Sequence, residues 1–373
     1  MINRVYKDNI KSLLGSNKAI IIFGARQVGK STLLQQILGD TESVLWLNGD
    51  DSDIRLLFED VSSSRLKAVI GTNKFVVIDE AQRIKNIGLK IKMITDQIPG
   101  VQVLATGSSA LQLSNEINEP LTGRKREFKM FPISFREMCN HTSLLEELRM
   151  IPHRLIYGYY PEVVTSVGEE KIVLRELANS YLYKDILSFD KVKHASKLES
   201  LLQAIAFQIG SQVSSNEIGR LVGLDSKTVE RYIDLLEQSF VIFRLCSFAR
   251  NQRNELKNSR KIFFWDTGIR NAVIGNFSPI ENRNDAGALW ENYVIAERLK
   301  ANIMSQSFAR SWFWRTQQQQ EVDYIEDENG FINAYEIKWN TKKANTRCPV
   351  TFSKAYPEAN YNVITPDNIE KFL

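Results

Sequence analysis

Short apolar runs alternate with stretches of helical periodicity through the first third of the chain. Residues 20–23 and 75–78 are continuous apolar runs, and the segment VQVLATGSSA, residues 101–110, contains a third. Apolar runs without alternation are typical of strands that are buried on both faces of a parallel sheet. Residues 31–38 follow the first run with helical character. The pattern therefore predicts an α/β fold built on a parallel sheet.

The middle of the chain changes to a mainly helical pattern. Between residues 141 and 210, apolar positions recur at helical spacing in SLLEELRMI, IVLRELANSYL and KLESLLQAIAFQI, which predicts a helical connector or lid. Ser214 and Glu217 then predict a capping box, and residues 223–225 a turn before a second helix. The following segment FVIFRL alternates like a strand. A winged helix-turn-helix is therefore predicted.

The stretch QEVDYIEDENGFINAYEIKWN, residues 320–340, predicts a β-hairpin because apolar and polar residues alternate on both sides of a polar turn. With residues 327–330 as the loop, we expect Ile325 opposite Ile332 and Asp323 opposite Ala334. The preceding segment GALWENYVIAERLK, residues 287–300, predicts a helix. The last part of the chain is therefore also expected to be α/β.

The amino-acid composition excludes only a few classes of protein. A chain of 373 residues suits two or three domains. Its 48 basic and 44 acidic side chains give a net charge of +4, which permits a nucleic-acid partner without requiring one. The three histidines and three cysteines lack metal-ligand spacing, so zinc is not expected. Since no apolar run has the length of a membrane helix and no signal-peptide core is visible, we expect a cytoplasmic protein without a membrane partner.

The first motif with chemical content is GARQVGKS, residues 24–31, which lies between a predicted strand and a predicted helix. This is the context of a phosphate-binding loop. Gly24 and Gly29 let the backbone turn its N–H groups toward a β-phosphate at the positive end of the helix. Lys30 is expected to bridge the β- and γ-phosphates, and the Ser31 hydroxyl to ligate Mg²⁺. The predicted nucleotide-binding residues of the loop are Gly24, Ala25, Arg26, Gln27, Val28, Gly29, Lys30, Ser31 and Thr32.

Polar residues follow the later apolar runs. Asp79 is expected to hold Mg²⁺ and Glu80 to orient and deprotonate water, while the alternative is a strand capped by two solvated acids. Thr106, Ser108 and Ser109 at the tip of the third run are candidates for a γ-phosphate sensor, and for each hydroxyl a strand-to-helix cap is the alternative. Arg124 is a candidate arginine finger toward a neighbouring subunit, which implies a homo-oligomer, or else belongs to a solvated basic loop.

The order of phosphate loop, acid-tipped strand, polar strand tip and arginine-bearing loop resembles that of AAA-like P-loop ATPases. More narrowly, GARQVGKSTLL, DEAQRI, TGSSALQL and FPISFREM are similar to a large prokaryotic group of uncharacterised ATPases. Their C-terminal domain of unknown function is related to PD-(D/E)XK nucleases. The resemblance implies ATP with Mg²⁺ as ligands. Together with the helical pattern of the middle of the chain, it gives four predicted segments: an AAA-like ATPase domain over 1–135, a helical connector or lid over 136–210, a winged helix-turn-helix over 211–250 and a nuclease-like α/β domain over 251–373.

Alternation in the hairpin places Asp323, Glu336 and Lys338 on one face. Two such carboxylates can share Mg²⁺, and the lysine can position water and stabilise developing charge. The spacing resembles the PD-(D/E)XK core, with Glu291 in the helix as the candidate extra acid, although Glu321 stands near the point where that motif has a proline. The alternative is a solvated hairpin face, and such a fold can also bind without cutting.

Two functions remain open at this point. In the first, the protein couples Mg-ATP binding and hydrolysis to rearrangement of its C-terminal domains on nucleic acid such as DNA. In the second, it is a nucleotide-switched interaction module for a protein partner, and the nuclease-like domain is inert. Salt-sensitive DNA binding distinguishes them, because phosphate contacts release counterions. Nuclease activity itself is left open.

Overall fold

The computed structural model describes residues 1–108, 117, 120–179, 195–249, 259–341 and 347–373. The chain divides into two compact units. The first comprises Met1–Pro132 with Gln238–Phe240, and the second Ile133–Glu237 with Val241–Leu373. The predicted subdivision of the second unit at residues 210 and 250 stays a prediction. None of the helices within the described ranges combines the length and apolar character needed to cross a bilayer.

A five-stranded parallel sheet, in the order β2-β3-β4-β1-β5, organises the first unit. Its elements are α1 (Tyr6–Ser12), β1 (Ala19–Gly24), α2 (Lys30–Leu38), β2 (Val44–Asn48), α3 (Ser52–Phe58), α4 (Ser63–Ile70), β3 (Phe75–Asp79), α5 (Ile87–Gln97), β4 (Gln102–Gly107) and β5 (Lys125–Met130). The predicted α/β class and parallel sheet are confirmed. Strands β1 and β4 are buried along their whole length, as their continuous apolar character predicts. Because β4 separates β1 from β3, the ends of all three strands meet at one edge.

The core of the first unit includes a residue from far along the chain. Phe240 is 6% exposed, and its ring meets Phe131 edge-on with 5.9 Å between ring centroids. Its φ of 57° lies in the left-handed region, which is unfavourable for an aromatic residue. Packing of the ring in this core therefore holds the backbone of Phe240 in a strained conformation.

From residue 133 onward the chain is first helical and then mixed. Its elements are α6 (Phe135–His141), α7 (Leu144–Tyr157), α8 (Pro161–Thr165), α9 (Glu170–Leu177), α10 (Ala195–Phe207), α11 (Ser215–Val222), α12 (Ser226–Gln238), β6 (Ile242–Cys246), β7 (Arg260–Phe264), α13 (Thr267–Ile274), α14 (Ala286–Met304), β8 (Arg310–Arg315), β9 (Glu321–Glu328), β10 (Phe331–Ile337), α15 (Val350–Ala355) and β11 (Asn360–Ile364). The helical segments predicted between residues 141 and 210 are present as far as the described residues extend. The end of IVLRELANSYL lies outside them.

The two predicted helices after residue 213 are also present. The Oγ atom of Ser214 accepts the N–H of Glu217 at 3.4 Å, which is one half of the predicted capping box. Gly223, with φ of 67°, ends α11, and α12 follows. Strand β6 then pairs antiparallel with β7. The elements of a winged helix-turn-helix are thus in the expected order, and the assignment itself stays a prediction.

Strands β8 to β11 form a four-stranded sheet in the order β11-β10-β9-β8. The predicted hairpin between β9 and β10 is present, but its predicted register is wrong, because Ala334 pairs with Ile325 and Ile332 with Asp327. The loop is the dipeptide Asn329-Gly330, whose φ angles are 55° and 89°. Positive φ at both positions is the requirement of a tight type I′ hairpin turn, for which Asn-Gly is strongly preferred. A slip of two residues leaves every side chain on its predicted face.

A β-bulge interrupts β9 near its start. Trp312 pairs with Ile325 and Trp314 with Val322, so β9 has one more residue than β8 between these pairs. Bulges turn side chains away from their regular directions. Near this bulge, an Oδ2 atom of Asp323 accepts the backbone N–H of Ile337 at 2.8 Å. The bulge therefore lies beside the Asp323 carboxylate.

Candidate functional site

The phosphate-type loop closes between β1 and α2. Gly29 has φ of 91°, and the next residue, Lys30, begins α2 with 5% of its surface exposed. The Lys30 ammonium donates to the carbonyls of Gly24 at 3.0 Å and Ala25 at 2.8 Å. Gly24 is needed for a different reason than its predicted role in turning the loop. A Cβ there would lie 2.1 Å from the Met130 carbonyl oxygen on β5, so sheet packing excludes a side chain.

A buried arginine from the start of the chain supports this loop. Arg4 is 8% exposed and donates to the carbonyls of Val28 and Phe131, each at 2.7 Å. It therefore connects the loop to the residue that follows β5. The sequence contains no motif that identifies Arg4. The remaining predicted loop positions vary in exposure: Ala25 and Val28 are buried, Arg26 and Ser31 are half-buried, and Gln27 and Thr32 are exposed.

The ends of β3 and β4 meet the first turn of α2. Ser31 Oγ donates to Asp79 Oδ2 at 2.7 Å. The buried Thr106 hydroxyl donates to the other oxygen of Asp79 and accepts the backbone N–H of Glu80 at 3.2 Å. One hydroxyl thus orients the Asp79 carboxylate and fixes the backbone of Glu80. The structure brings these four predicted residues together, and a role of Thr106 as γ-phosphate sensor stays a prediction.

Two further polar side chains hold the Glu80 carboxylate. Glu80 follows β3 in the left-handed conformation, with φ of 48° and ψ of 43°. The amide of Gln82 donates to Glu80 Oε2 at 2.5 Å and to Ser108 Oγ at 3.0 Å, and Ser108 Oγ donates to the same Glu80 oxygen at 3.4 Å. Gln82 was not predicted, although it lies two residues after the predicted acid. Ser109 lies outside the described residues.

Arg124 is not part of this arrangement within its own chain. Its carbonyl accepts the N–H of Ala19, the first residue of β1, whereas the phosphate-type loop follows the last residue of that strand. Arg124 and the phosphate-type loop therefore lie at opposite ends of the strands of this parallel sheet. The guanidinium pairs with Asp96, at 2.7 Å between Nε and Oδ1. A finger role toward a neighbouring subunit stays a prediction.

The second unit contains a separate cluster of acids. Carboxylate oxygens of Glu291 on α14 and of Glu321 and Asp323 on β9 all lie within 4.8 Å of one another. Lys338 Nζ lies 2.5 Å from Glu336 Oε1 and 3.7 Å from Asp323 Oδ2. The four predicted residues of the nuclease-like motif are therefore neighbours. Glu321, considered only as a departure from that motif, is a fifth member.

Lys261 on β7 is the member that sequence reasoning missed. It is 1% exposed, its Nζ lies 2.8 Å from Glu291 Oε1, and it also pairs with Glu321. Although burial alone lowers the pKa of Lys261, these carboxylates hold it above its usual value. Burial raises the pKa of Glu291, and the Lys261 ammonium opposes this shift. Burial, followed by the charge of Asp323, likewise raises the pKa of Glu336.

Comparison with known proteins assigns the first unit to a class. Residues 16–139 match a family model described as an AAA domain. Residues 133–279 and 286–371 match two models described as domains of unknown function, DUF8612 and DUF4143. The Walker-type ATPase PABY2304 of Pyrococcus abyssi has a similar fold, with a TM-score of 0.51 and 14% identity over 73% of this chain and 96% of that chain. The first unit is therefore an AAA-type P-loop ATPase fold.

Relatives extend over most of the chain and have no described function. An uncharacterized protein of Haemophilus influenzae is 27% identical over 307 residues, which cover 75% of this chain and 74% of the relative. The uncharacterized protein MJ1544 of Methanocaldococcus jannaschii is 22% identical over 345 residues, covering 86% of this chain and 75% of the relative. The family model matched by residues 286–371 is described only as a domain of unknown function, so the nuclease-like relation of the last segment stays a prediction.

Proposed function

We propose that this protein is a Mg²⁺-dependent ATPase whose first unit binds and hydrolyses ATP. The observation that carries this proposal is the convergence of Ser31, Asp79, Glu80 and Thr106 at the end of the sheet where the phosphate-type loop begins. Ser31 lies in the first turn of α2, Asp79 and Glu80 lie at the end of β3, and Thr106 lies near the end of β4, yet all four are joined by hydrogen bonds.

The donor set fits Mg²⁺. Ser31 and Asp79 present a hydroxyl and a carboxylate 2.7 Å apart, and Mg²⁺ prefers such hard oxygen ligands. When bound with ATP, the ion would neutralise charge on the phosphate oxygens. Thr106 keeps the Asp79 carboxylate turned toward Ser31 by occupying its other oxygen.

The remaining residues act on the phosphates and on water. Lys30 would exchange its contacts with the loop carbonyls for contacts with phosphate oxygens, while the loop N–H groups bind the β-phosphate. Glu80 would accept a proton from the attacking water. Gln82 and Ser108 restrict the position of that carboxylate before it acts.

Nucleotide binding and turnover by the purified protein test this proposal. Lys30→Ala should abolish ATP hydrolysis and weaken ATP binding, whereas Glu80→Gln should abolish hydrolysis and retain binding. Lys67→Ala, at an exposed position on α4, is the matched control and should behave like the wild type. ATP turnover that is unchanged in both Lys30→Ala and Glu80→Gln would contradict the proposal.

We further propose that α12 contributes to DNA binding by the second unit. Lys227 and Arg231 are exposed and one helical turn apart on α12. The acids on the same helix are engaged by arginines of the following strands, since Arg260 pairs with Glu230 and Arg244 pairs with Asp234 at 2.7 Å. Their negative charge is thus offset locally, which reduces their opposition to DNA phosphates.

Salt-dependent DNA binding tests this second step. The logarithm of the binding constant should fall with the logarithm of salt concentration, and Lys227→Ala with Arg231→Ala should reduce that slope by about 2. Lys354→Ala, an exposed lysine on α15, is the control. ATP turnover measured with duplex, forked and single-stranded DNA should rise with one form. A flat salt dependence and equal turnover with every DNA would instead favour the protein-partner switch.

A further inference from the structure

The acid cluster of the second unit is built around a buried lysine. Lys261 is on β7, Glu291 on α14, and Glu321 and Asp323 on β9, so three separate elements meet there. Only 2% of the Lys261 side chain and 14% of the Glu291 side chain are exposed. A charged lysine at this depth requires opposite charges and hydrogen bonds, because burial without them is strongly unfavourable.

The ammonium group lies among the carboxylates. It pairs with an Oε1 oxygen of Glu291 and with one of Glu321, and those two acids and Asp323 have oxygens within 4.8 Å of one another. The Phe313 ring lies nearby, with its centroid 5.4 Å from the same Nζ. An ammonium has three N–H donors, so two carboxylates account for most of its hydrogen-bonding capacity.

A second lysine occupies the other half of the cluster. Lys338 pairs with Glu336 at 2.5 Å and lies 3.7 Å from Asp323. An oxygen of Asp323 also accepts the backbone N–H of Ile337. At least one oxygen of each of the four acids is therefore already bound by a protein cation or a backbone donor.

The residues present do not fit the divalent metal that the nuclease resemblance implies. Mg²⁺ takes about six oxygen ligands in near-octahedral geometry at roughly 2.1 Å, of which usually one or two are protein carboxylates and the others are water or phosphate oxygens. In this cluster Lys261 binds two of the three acids within reach of a single ion. A divalent ion placed among these acids would face a buried ammonium at close range, and the two charges repel.

We propose that the Lys261 ammonium takes the place of a divalent metal in this cluster, so that the site is a metal-independent structural centre. It joins β7, α14 and β9 through charge-assisted hydrogen bonds. The nuclease-like arrangement of acids is therefore retained without metal binding at this position. This inference is independent of ATP hydrolysis in the first unit.

Binding of Mn²⁺ without nucleotide, followed by electron paramagnetic resonance and calorimetry, tests the proposal. The full-length wild type should show no Mn²⁺ site that depends on Asp323. Lys261→Ala removes the ammonium and leaves space, so it should gain one Mn²⁺ per chain, and Asp323→Asn in that background should abolish the gain. Lys300→Ala is the matched control, because Lys300 is 1% exposed and pairs with the Glu297 carboxylate.

If Lys261→Ala does not fold, Mn²⁺ binding by the wild type still tests the proposal. A Mn²⁺ site in the wild type that Asp323→Asn removes would overturn the proposal, whereas a site lost only in Asp79→Asn belongs to the nucleotide loop and leaves it standing. A Lys261→Ala variant that folds but gains no Mn²⁺ site would also count against the proposal. Metal-dependent DNA cleavage by the wild type that Asp323→Ala abolishes would overturn it as well.

Discussion

Thr106→Val should disable the nucleotide site while nearly preserving side-chain volume. The Thr106 hydroxyl is fully buried, donates to Asp79 and accepts the N–H of Glu80. A hydrogen bond to a charged group contributes roughly 1.5–3 kcal/mol, and a buried N–H left without a partner costs about 1–3 kcal/mol. If about 3 kcal/mol of this lost interaction energy is added to the activation free energy of hydrolysis, kcat for ATP falls roughly 100-fold.

The assay combines ATP turnover with urea unfolding. Thr106→Ser keeps the hydroxyl and loses only a methyl group, so it should retain most of the turnover. Thr106→Val should also unfold at lower urea than Thr106→Ser, since it leaves Asp79 and Glu80 without a shared partner. A Thr106→Val variant that turns over ATP as fast as the wild type would refute this role of the hydroxyl. Equal losses in the two variants would instead assign the effect to packing.

Three other predictions follow from named contacts. Arg4→Met should raise the KM for ATP and lower the free energy of unfolding by about 2–3 kcal/mol, because the two hydrogen bonds from its guanidinium to the Val28 and Phe131 carbonyls are lost. Arg65→Met, at an exposed position, is the control and should change neither quantity. Although burial raises the pKa of Asp285, hydrogen bonds from two arginines lower it to about 2, so its contribution of about 2 kcal/mol is present above pH 4 and lost as the pH falls toward 2. Urea unfolding of wild type and Asp285→Asn should therefore differ at pH 6 and converge near pH 2, and a difference that grows on acidification would contradict this. Gly330→Ala should cost about 1 kcal/mol of unfolding free energy because φ there is 89°, whereas Gly287→Ala in α14, where a Cβ meets nothing, should be neutral or stabilising.

Local chemistry explains which parts of the site were predictable. A phosphate-type loop needs contiguous residues between a strand and a helix, so Lys30 and Ser31 are visible as a motif. Asp79 and Thr106 follow because buried parallel strands are continuous apolar runs whose ends share an edge. Arg4 could not be assigned in this way, because it acts through tertiary contacts that no local pattern encodes. Gln82 lies only two residues after Glu80, but its contact with Ser108 is tertiary and equally invisible in the local pattern.

The second site was predicted only in part for a similar reason. The alternation of β9 and β10 placed Asp323, Glu336 and Lys338 on one face, and the error in register did not affect this because the slip was even. The error arose from treating residues 327–330 as the loop, although Asn-Gly alone satisfies a two-residue turn. Lys261 is distant in sequence from the other members, and the fold alone brings it among them.

Phe240 has a practical consequence for dissecting the protein. A shortened chain that ends at Pro132 contains every strand of the first unit but lacks the aromatic ring that covers Phe131. Such a fragment would expose apolar surface that the full-length chain buries, and would therefore be prone to self-association. The candidate nucleotide-binding residues thus all lie within residues 1–132, whereas the folded unit also includes residues 238–240. Measurements on a fragment that ends at Pro132 would therefore underestimate the ATP turnover of the intact protein.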